Sequence, residues 1–221
     1  MKAIIKGKEP GSLTKYRSNP GATYDGGNFT QTKSAIRKSL LKEQGYLCAY
    51  CMKRVVDNEL TTKVEHWQCQ ASHPQRQLDY KNMLAVCSGK TVISTNPPKS
   101  KTHCDTFKGH DDIKFNPSEA THHSQMKIYY GVDGHVFSKN SEFQEDIDKK
   151  LNLNLTRLKG NRKAVVDSVF SYLSGYQGSC TEGSVRDKLK KWENLDSKGH
   201  LTEFCDVAVY FLNKKLKQIS K

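Results

Sequence analysis

Between Cys48 and Gly109 four of the five cysteines are interspersed with a Glu-His dipeptide, Asn82 and Asp105. Their order is Cys48-Ala49-Tyr50-Cys51, Val64-Glu65-His66, Asn82, Cys87, then His103-Cys104-Asp105-Thr106-Phe107-Lys108-Gly109. A C-x-x-C turn presents two thiolates from one knuckle, and a tetrahedral zinc ion needs two more from elsewhere. Cys87 and Cys104 are the natural second pair, because Cys69, Cys180 and Cys205 lack ligand-spaced company. The competing reading of Cys48 and Cys51 is a redox pair, against which stands the lack of a βαβ pattern around them. His103 adjoins Cys104, and adjacent side chains rarely aim at one ion. It is expected beside the zinc or toward substrate, with replacement of a cysteine as the alternative.

The remaining residues suit hydrolysis. Glu65 is a hard oxygen ligand for Mg²⁺ or Mn²⁺, and His66, neutral near pH 7, is a natural base for deprotonating water. On a strand the two side chains alternate, so a local bend is needed to aim both at one centre. Asp105 offers a second carboxylate, Asn82 is expected to orient the imidazole through its carbonyl, and Lys108 to hold a phosphate. Each has an ordinary reading as well: solvated acids, a packed strand histidine, a turn asparagine. Their succession between zinc ligands is what favours chemistry.

The whole chain has 221 residues, a mean hydropathy of −0.74 and a net charge of +13. Its isoelectric point near 9.4 makes a polyanionic partner plausible. Residues 1–47 carry nine basic side chains against three acidic ones, so this segment is expected to face phosphate. Arg37, Lys38, Arg157 and Arg162 are candidate nucleic-acid contacts, with solvated helix faces as the alternative. No stretch approaches the roughly 18 apolar residues of a membrane helix, and the N-terminal apolar run is too short for a secretory signal. The expectation is a cytoplasmic protein with reduced thiols and no membrane partner.

Several elements must position these groups. Residues 1–30, rich in Gly, Pro, Ser, Thr and Asn, read as an irregular arm. Ala35, Ile36, Leu40 and Leu41 recur at helical spacing, with Thr32 as N-cap and Gly45 at the C-terminus. Tyr46-Leu47 and Arg54-Val55-Val56 read as short strands around a metal knuckle, and Lys63 to Trp67 as another strand. Residues 88–102 read as a basic surface loop between two ligands. Met126 to Phe137 reads as a hairpin turning at Gly131-Val132-Asp133-Gly134. Three C-terminal helices follow, capped by Asn154, by Thr181 and, for the third, marked by the stripe Phe204, Val207, Ala208, Phe211, Leu212, Leu216 and Ile219. That stripe is expected in the core, with a docking face as the alternative. The division is therefore a basic arm and helix (1–47), a zinc-stabilised core (48–116) and a hairpin with helices packed on it (117–221).

The succession C-x-x-C, acid-His, Asn-Met-Leu-x-x-Cys, Cys-Asp-x-x-Lys-Gly resembles the HNH endonuclease family. The resemblance implies an α+β fold with a ββα-metal core, a structural zinc on two cysteine pairs and a catalytic Mg²⁺ or Mn²⁺. It implies Glu65 and Asp105 as ligands of the catalytic metal, His66 as general base and Asn82 as the residue fixing it. Two departures stand out. Asp105 occupies a position usually His or Asn, and 16 residues separate Cys87 from Cys104.

Over most of residues 1–165 the chain resembles, more narrowly, the PtuB nuclease family of Septu anti-phage systems and related retron effectors. The residues that carry this are Tyr24-Asp25-Gly26, Ile36-Arg37-x-Ser39-Leu40-Leu41, Leu78-Asp79-Tyr80-x-Asn82-Met83-Leu84, Phe115-Asn116-Pro117 and Leu151-Asn152-Leu153-Asn154. This resemblance implies a PtuA-like ATPase of the ABC or SMC type as partner, and DNA or a tRNA as substrate. The alternative is a non-catalytic, zinc-stabilised nucleic-acid-binding module.

Overall fold

The computed structural model describes residues 1–90, 96–175 and 180–220 and shows a mixed α+β architecture. Its centre is an antiparallel pair, β1 (Thr62–His66) and β2 (Met83–Cys87), in which Glu65 faces Leu84 and His66 faces Met83. All five residues of β2 are buried, so Met83-Leu84-Ala85-Val86 reads as a continuous apolar run rather than an alternating one. The helix preceding the pair in sequence packs against both strands, and the short one following it packs on β2.

That preceding helix is the second of the chain. Residues 1–30, expected to be irregular, contain α1 (Gly11–Arg17), whose Leu13 and Tyr16 are buried. α2 (Thr30–Glu43) buries Ile36, Leu40 and Leu41 as its spacing predicts. It starts three residues earlier than expected: Phe29 is at the N-cap position, and Thr32 is buried inside the helix. Gly45 follows its C-terminus with φ +56°, as a helix-ending glycine should.

The arm is anchored to the core at a few points, though most of its residues are exposed or half-buried. The Met1 amine donates to the Tyr130 hydroxyl at 2.7 Å, and Met1, Ile4, Leu13 and Phe29 belong to the core. Several of its cations are already paired, Lys6 with Glu43, Arg17 with Glu9 and Lys33 with Asp25. The apolar anchors outweigh the segment's turn-rich composition.

Around Cys48 and Cys51 the expected strands shrink to one bridge between Leu47 and Arg54. The knuckle bends too tightly for a ladder: Cys48 N–H donates to Lys53 O, Met52 N–H donates back to Cys48 O, and Met52 has φ +64°. α3 (Cys104–Lys108) follows the basic insert. Of that insert, 91–95 lie outside the described residues, and Lys99–Lys101 form a single 3-10 turn.

Beyond α4 (Ala120–Met126), β3 (Ile128–Tyr130) and β4 (Val136–Ser138) form the expected hairpin. α5 (Ser141–Glu145) continues into a π turn at Asp146–Lys150. α6 (Thr156–Ser174), α7 (Glu182–Glu193) and α8 (Cys205–Ile219) complete the chain. Thr181 caps α7 by accepting from Ser184 N–H. Asn154 does not cap α6; its amide bonds both backbone groups of Val136, tying the hairpin to the helix. The α8 stripe, Val207, Ala208, Phe211, Leu212 and Leu216, is buried against α6 and α7 together with Cys205. One apolar core includes residues from all three sequence segments.

Candidate metal centre and active-site cleft

The Sγ atoms of Cys48, Cys51, Cys87 and Cys104 all lie within 4.8 Å of one another, and all four residues are buried. Cys48 is 3.9 Å from Cys104 and Cys51 is 3.7 Å from Cys87. A tetrahedron with Zn–S bonds of about 2.3 Å has edges of about 3.8 Å. The cluster therefore has the dimensions of a structural metal site such as zinc, and its separations are far too long for a disulfide.

Folding across the insert is what completes the set. Gly89, with φ +74°, lies so close to His103 that a Cβ there would sit 1.7 Å from the His103 carbonyl oxygen. His103 N–H donates to Gly89 O, and Asn152 Nδ2 donates to Thr102 O from the other side. Both ends of the insert are thus pinned together, and the 16-residue separation of Cys87 and Cys104 has no bearing on their distance in space. His103 Nδ1 sits 3.2 Å from Cys104 Sγ, beside the cluster. The neighbouring thiols, Cys104 first, hold the Cys51 thiol well below its ordinary pKa, whereas burial pushes the Cys104 thiol up.

A second site opens from the far end of β1. A cleft of about 960 Å³ is lined on one side by Tyr24, Lys33 and Arg37, and on the other by Glu65, His66 and Asp105. Glu65 is 7% exposed and receives an ion pair from Lys108 Nζ at 2.7 Å and a long hydrogen bond from the Tyr50 hydroxyl at 3.4 Å. Burial lifts its pKa to about 8, and the hydrogen-bonded Asp105 adds to that rise; Lys108 opposes both and loses. Near neutral pH the Glu65 carboxyl therefore holds its proton.

His66 is buried, and burial pulls its pKa below the usual value, so it is neutral at pH 7. Nε2 lies 2.9 Å from the Gln77 carbonyl oxygen, which can only accept. The proton of the neutral ring is therefore on Nε2, and Nδ1 carries the lone pair. The Tyr24 ring packs edge-on against the imidazole at 4.6 Å, and Gln77 Oε1 accepts from Tyr24 N–H. Among the described residues the buried Tyr24 hydroxyl has no hydrogen-bond partner, and burial raises its pKa.

Several expected roles change. Asn82 does not touch the imidazole: Oδ1 accepts from Gln68 N–H, while Nδ2 donates to Gln68 O and Arg76 O. With its donors and acceptor engaged, Asn82 closes the loop between β1 and β2 whose Gln77 holds His66. Lys108 is 2% exposed and engaged by Glu65 and the His66 carbonyl, so it is a buried counter-ion and no free phosphate contact. Arg37 lines the cleft but is paired with Asp57 at 2.7 Å. Lys38 and Arg157 are exposed. Arg162 is 2% exposed and spent on Gly134 O and Leu153 O, which makes it a structural tie.

No protein-family model matches the chain, and no curated protein matches it. The geometry therefore carries the functional argument.

Cys69, expected to be isolated, has its thiol 3.6 Å from His110 Nδ1, and both line the cleft. Gln77 and Tyr24 were not singled out for roles from the sequence, because a backbone carbonyl and an aromatic edge leave no signature in residue type. Lys63 to Trp67 did announce the strand, and Glu65 with His66 at its end. Among the described residues no helix is long and apolar enough to cross a membrane.

Proposed function

We propose that this chain is a metal-dependent HNH-type endonuclease that hydrolyses phosphodiester bonds. The observation that carries the reading is His66: neutral, its tautomer set by Gln77, and in one cleft with the paired carboxylates of Glu65 and Asp105. The sequence of β1, β2 and α3, bracketed by the four cysteines, further supports a ββα-metal core.

The donor set fits a hard divalent cation. Glu65 and Asp105 supply carboxylate oxygens, and Mg²⁺ or Mn²⁺ commonly keeps water in its remaining positions. Such an ion, when bound, supplies charge stabilisation at the phosphate and leaving oxygen. His66 Nδ1 takes the proton from the attacking water, and the Gln77 carbonyl stabilises the imidazolium that results through Nε2–H. Lys108 keeps Glu65 in place through its ion pair. The four cysteines take no part in the chemistry, because a fully thiolate-ligated zinc has no open position.

The resemblance to PtuB supports a place in an anti-phage complex with a PtuA-like ATPase, and DNA is the substrate we favour over tRNA. Plasmid nicking by the purified chain with its ATPase, in Mn²⁺ and again in EDTA, tests the activity. His66→Ala is expected to lower the rate by about 10²–10⁴ while zinc content and cooperative folding are retained. Retained cleavage by a pure His66→Ala preparation would sink the base assignment.

A further inference from the structure

The outer face of the β3–β4 hairpin contributes nothing to the cleft lining. Its inner face is core: Tyr130, Val136 and Ser138 are buried, and Tyr130 holds the Met1 amine. On the other face Tyr129 stands directly across from Phe137, and alternation places His135 beside Phe137. The three rings form a ladder. Tyr129 and Phe137 are stacked at 5.1 Å with 19° between their planes, and Phe137 and His135 at 5.6 Å with 20°. None of the three is buried.

The ladder is rigid. Lys159 Nζ donates to His135 Nε2 at 3.3 Å, so His135 Nδ1 carries a proton and donates to Asp133 Oδ2 at 2.5 Å. The turn is pressed onto α6: a Cβ on Gly134, whose φ is +83°, would lie 2.1 Å from Lys159 O, and Arg162 Nε donates to Gly134 O. Rings held this way lose little further freedom when a ligand stacks on them.

Charge surrounds the rings asymmetrically. Lys139 N–H donates to Lys127 O, which sets two exposed lysines across from each other at the open end of the hairpin. Among the described residues neither has a carboxylate within ion-pair distance, and like charges facing across a ladder are destabilising unless an anion sits between them. Lys159 stands at the opposite end, and Asp133 is already taken up by His135. Aromatic rings between two cationic ends match one chemistry, a single strand whose bases stack while its phosphates reach the lysines. A duplex keeps its bases stacked internally and has no free face to offer.

We propose that this face is a stacking platform for single-stranded nucleic acid, with Tyr129 and His135, the outer rings that Phe137 holds between them, receiving bases and Lys127, Lys139 and Lys159 receiving phosphates. The inference rests on the nuclease reading only for its choice of a nucleic acid as ligand, and it adds a site outside the cleft that delivers a single strand.

Fluorescence anisotropy with a labelled oligothymidylate about 12 nucleotides long, in EDTA and with His66→Ala as the parent, reads binding without cleavage. The double variant Tyr129→Ala/Phe137→Ala is expected to bind about 10-fold or more weakly. Lys127→Glu/Lys139→Glu is expected to flatten the dependence of log affinity on log salt by at least about 1.4, roughly 0.7 for each lost phosphate contact. If the ring variant loses its melting transition, the lysine variant decides, because its substitutions are at exposed positions. Unchanged binding by the variants, an equal loss toward a blunt duplex of the same length, or no binding by the parent overturns the inference. Nicking by the wild-type chain with its ATPase separates the two ideas. Cleavage with an indifferent hairpin removes only the platform, and platform binding without cleavage removes only the nuclease reading.

Discussion

The cysteine cluster and the cleft lie along the same two strands and are finished to different degrees. The cluster is closed: four buried thiols at tetrahedral spacing leave no position for solvent or substrate. The cleft is open, the pKa of its Glu65 carboxyl is pushed up to about 8, and the buried Lys108 is pulled against it. A structural site ends when its ligand set is complete, whereas the proposed reaction site keeps positions open to solvent. The short path from the clamp to Glu65, along β2 and α3, explains how the first site holds the second in shape.

Breaking the closed site should have the larger consequence. Cys48→Ser is expected to lose zinc and cooperative folding together, since structural zinc in small domains contributes on the order of 10 kcal/mol. Metal analysis and far-UV circular dichroism measure both; a stable, zinc-free, folded variant would argue against a structural centre. In the open site the effects should be smaller and depend on pH. Lys108→Met leaves Glu65 buried without its cation, at a cost of about 3–5 kcal/mol when Glu65 is ionised. That cost should appear in urea melts at pH 9 and shrink at pH 6, where Glu65 carries a proton. Equal losses at both pH values would mean that Lys108 acts by packing alone.

The smallest effect sharpens the contrast further. A carboxyl raised from its ordinary value to about 8 stabilises the fold fully at acid pH and loses that contribution as pH rises through 8. A divalent cation competes with the same proton, so the melting-temperature rise produced by Mn²⁺ should grow from pH 6 to pH 8.5 in the wild type. It should be largely absent in Glu65→Gln at either pH. A pH-independent Mn²⁺ shift that survives Glu65→Gln would place the ion elsewhere.

Much of this was legible from residue types. The C-x-x-C knuckle, the Glu65-His66 strand, the Thr181 cap and the α8 stripe all follow from local spacing, because caps, turns and amphipathic periods are properties of a few consecutive residues. Asn82 and Lys108 stand out in the sequence, but their partners did not follow from it. An amide has several donors and acceptors, and a lysine reaches far enough to meet any nearby carboxylate, so only packing chooses among them. Arg162 shows the same limit: on α6 it reads as a solvated cation, yet the hairpin closes over it.

By itself, then, the sequence determined which groups could do chemistry and on which elements they ride. The tertiary structure decided which of them meet. Gly89 against His103 brings Cys87 to Cys104 across an insert of no fixed spacing, and burial turns Lys108 from a surface charge into the counter-ion of Glu65. A backbone carbonyl at Gln77 sets the tautomer of His66. Each is a contact between residues distant in sequence or through backbone atoms. Its energy depends on distance and desolvation, quantities that exist only once the chain has packed.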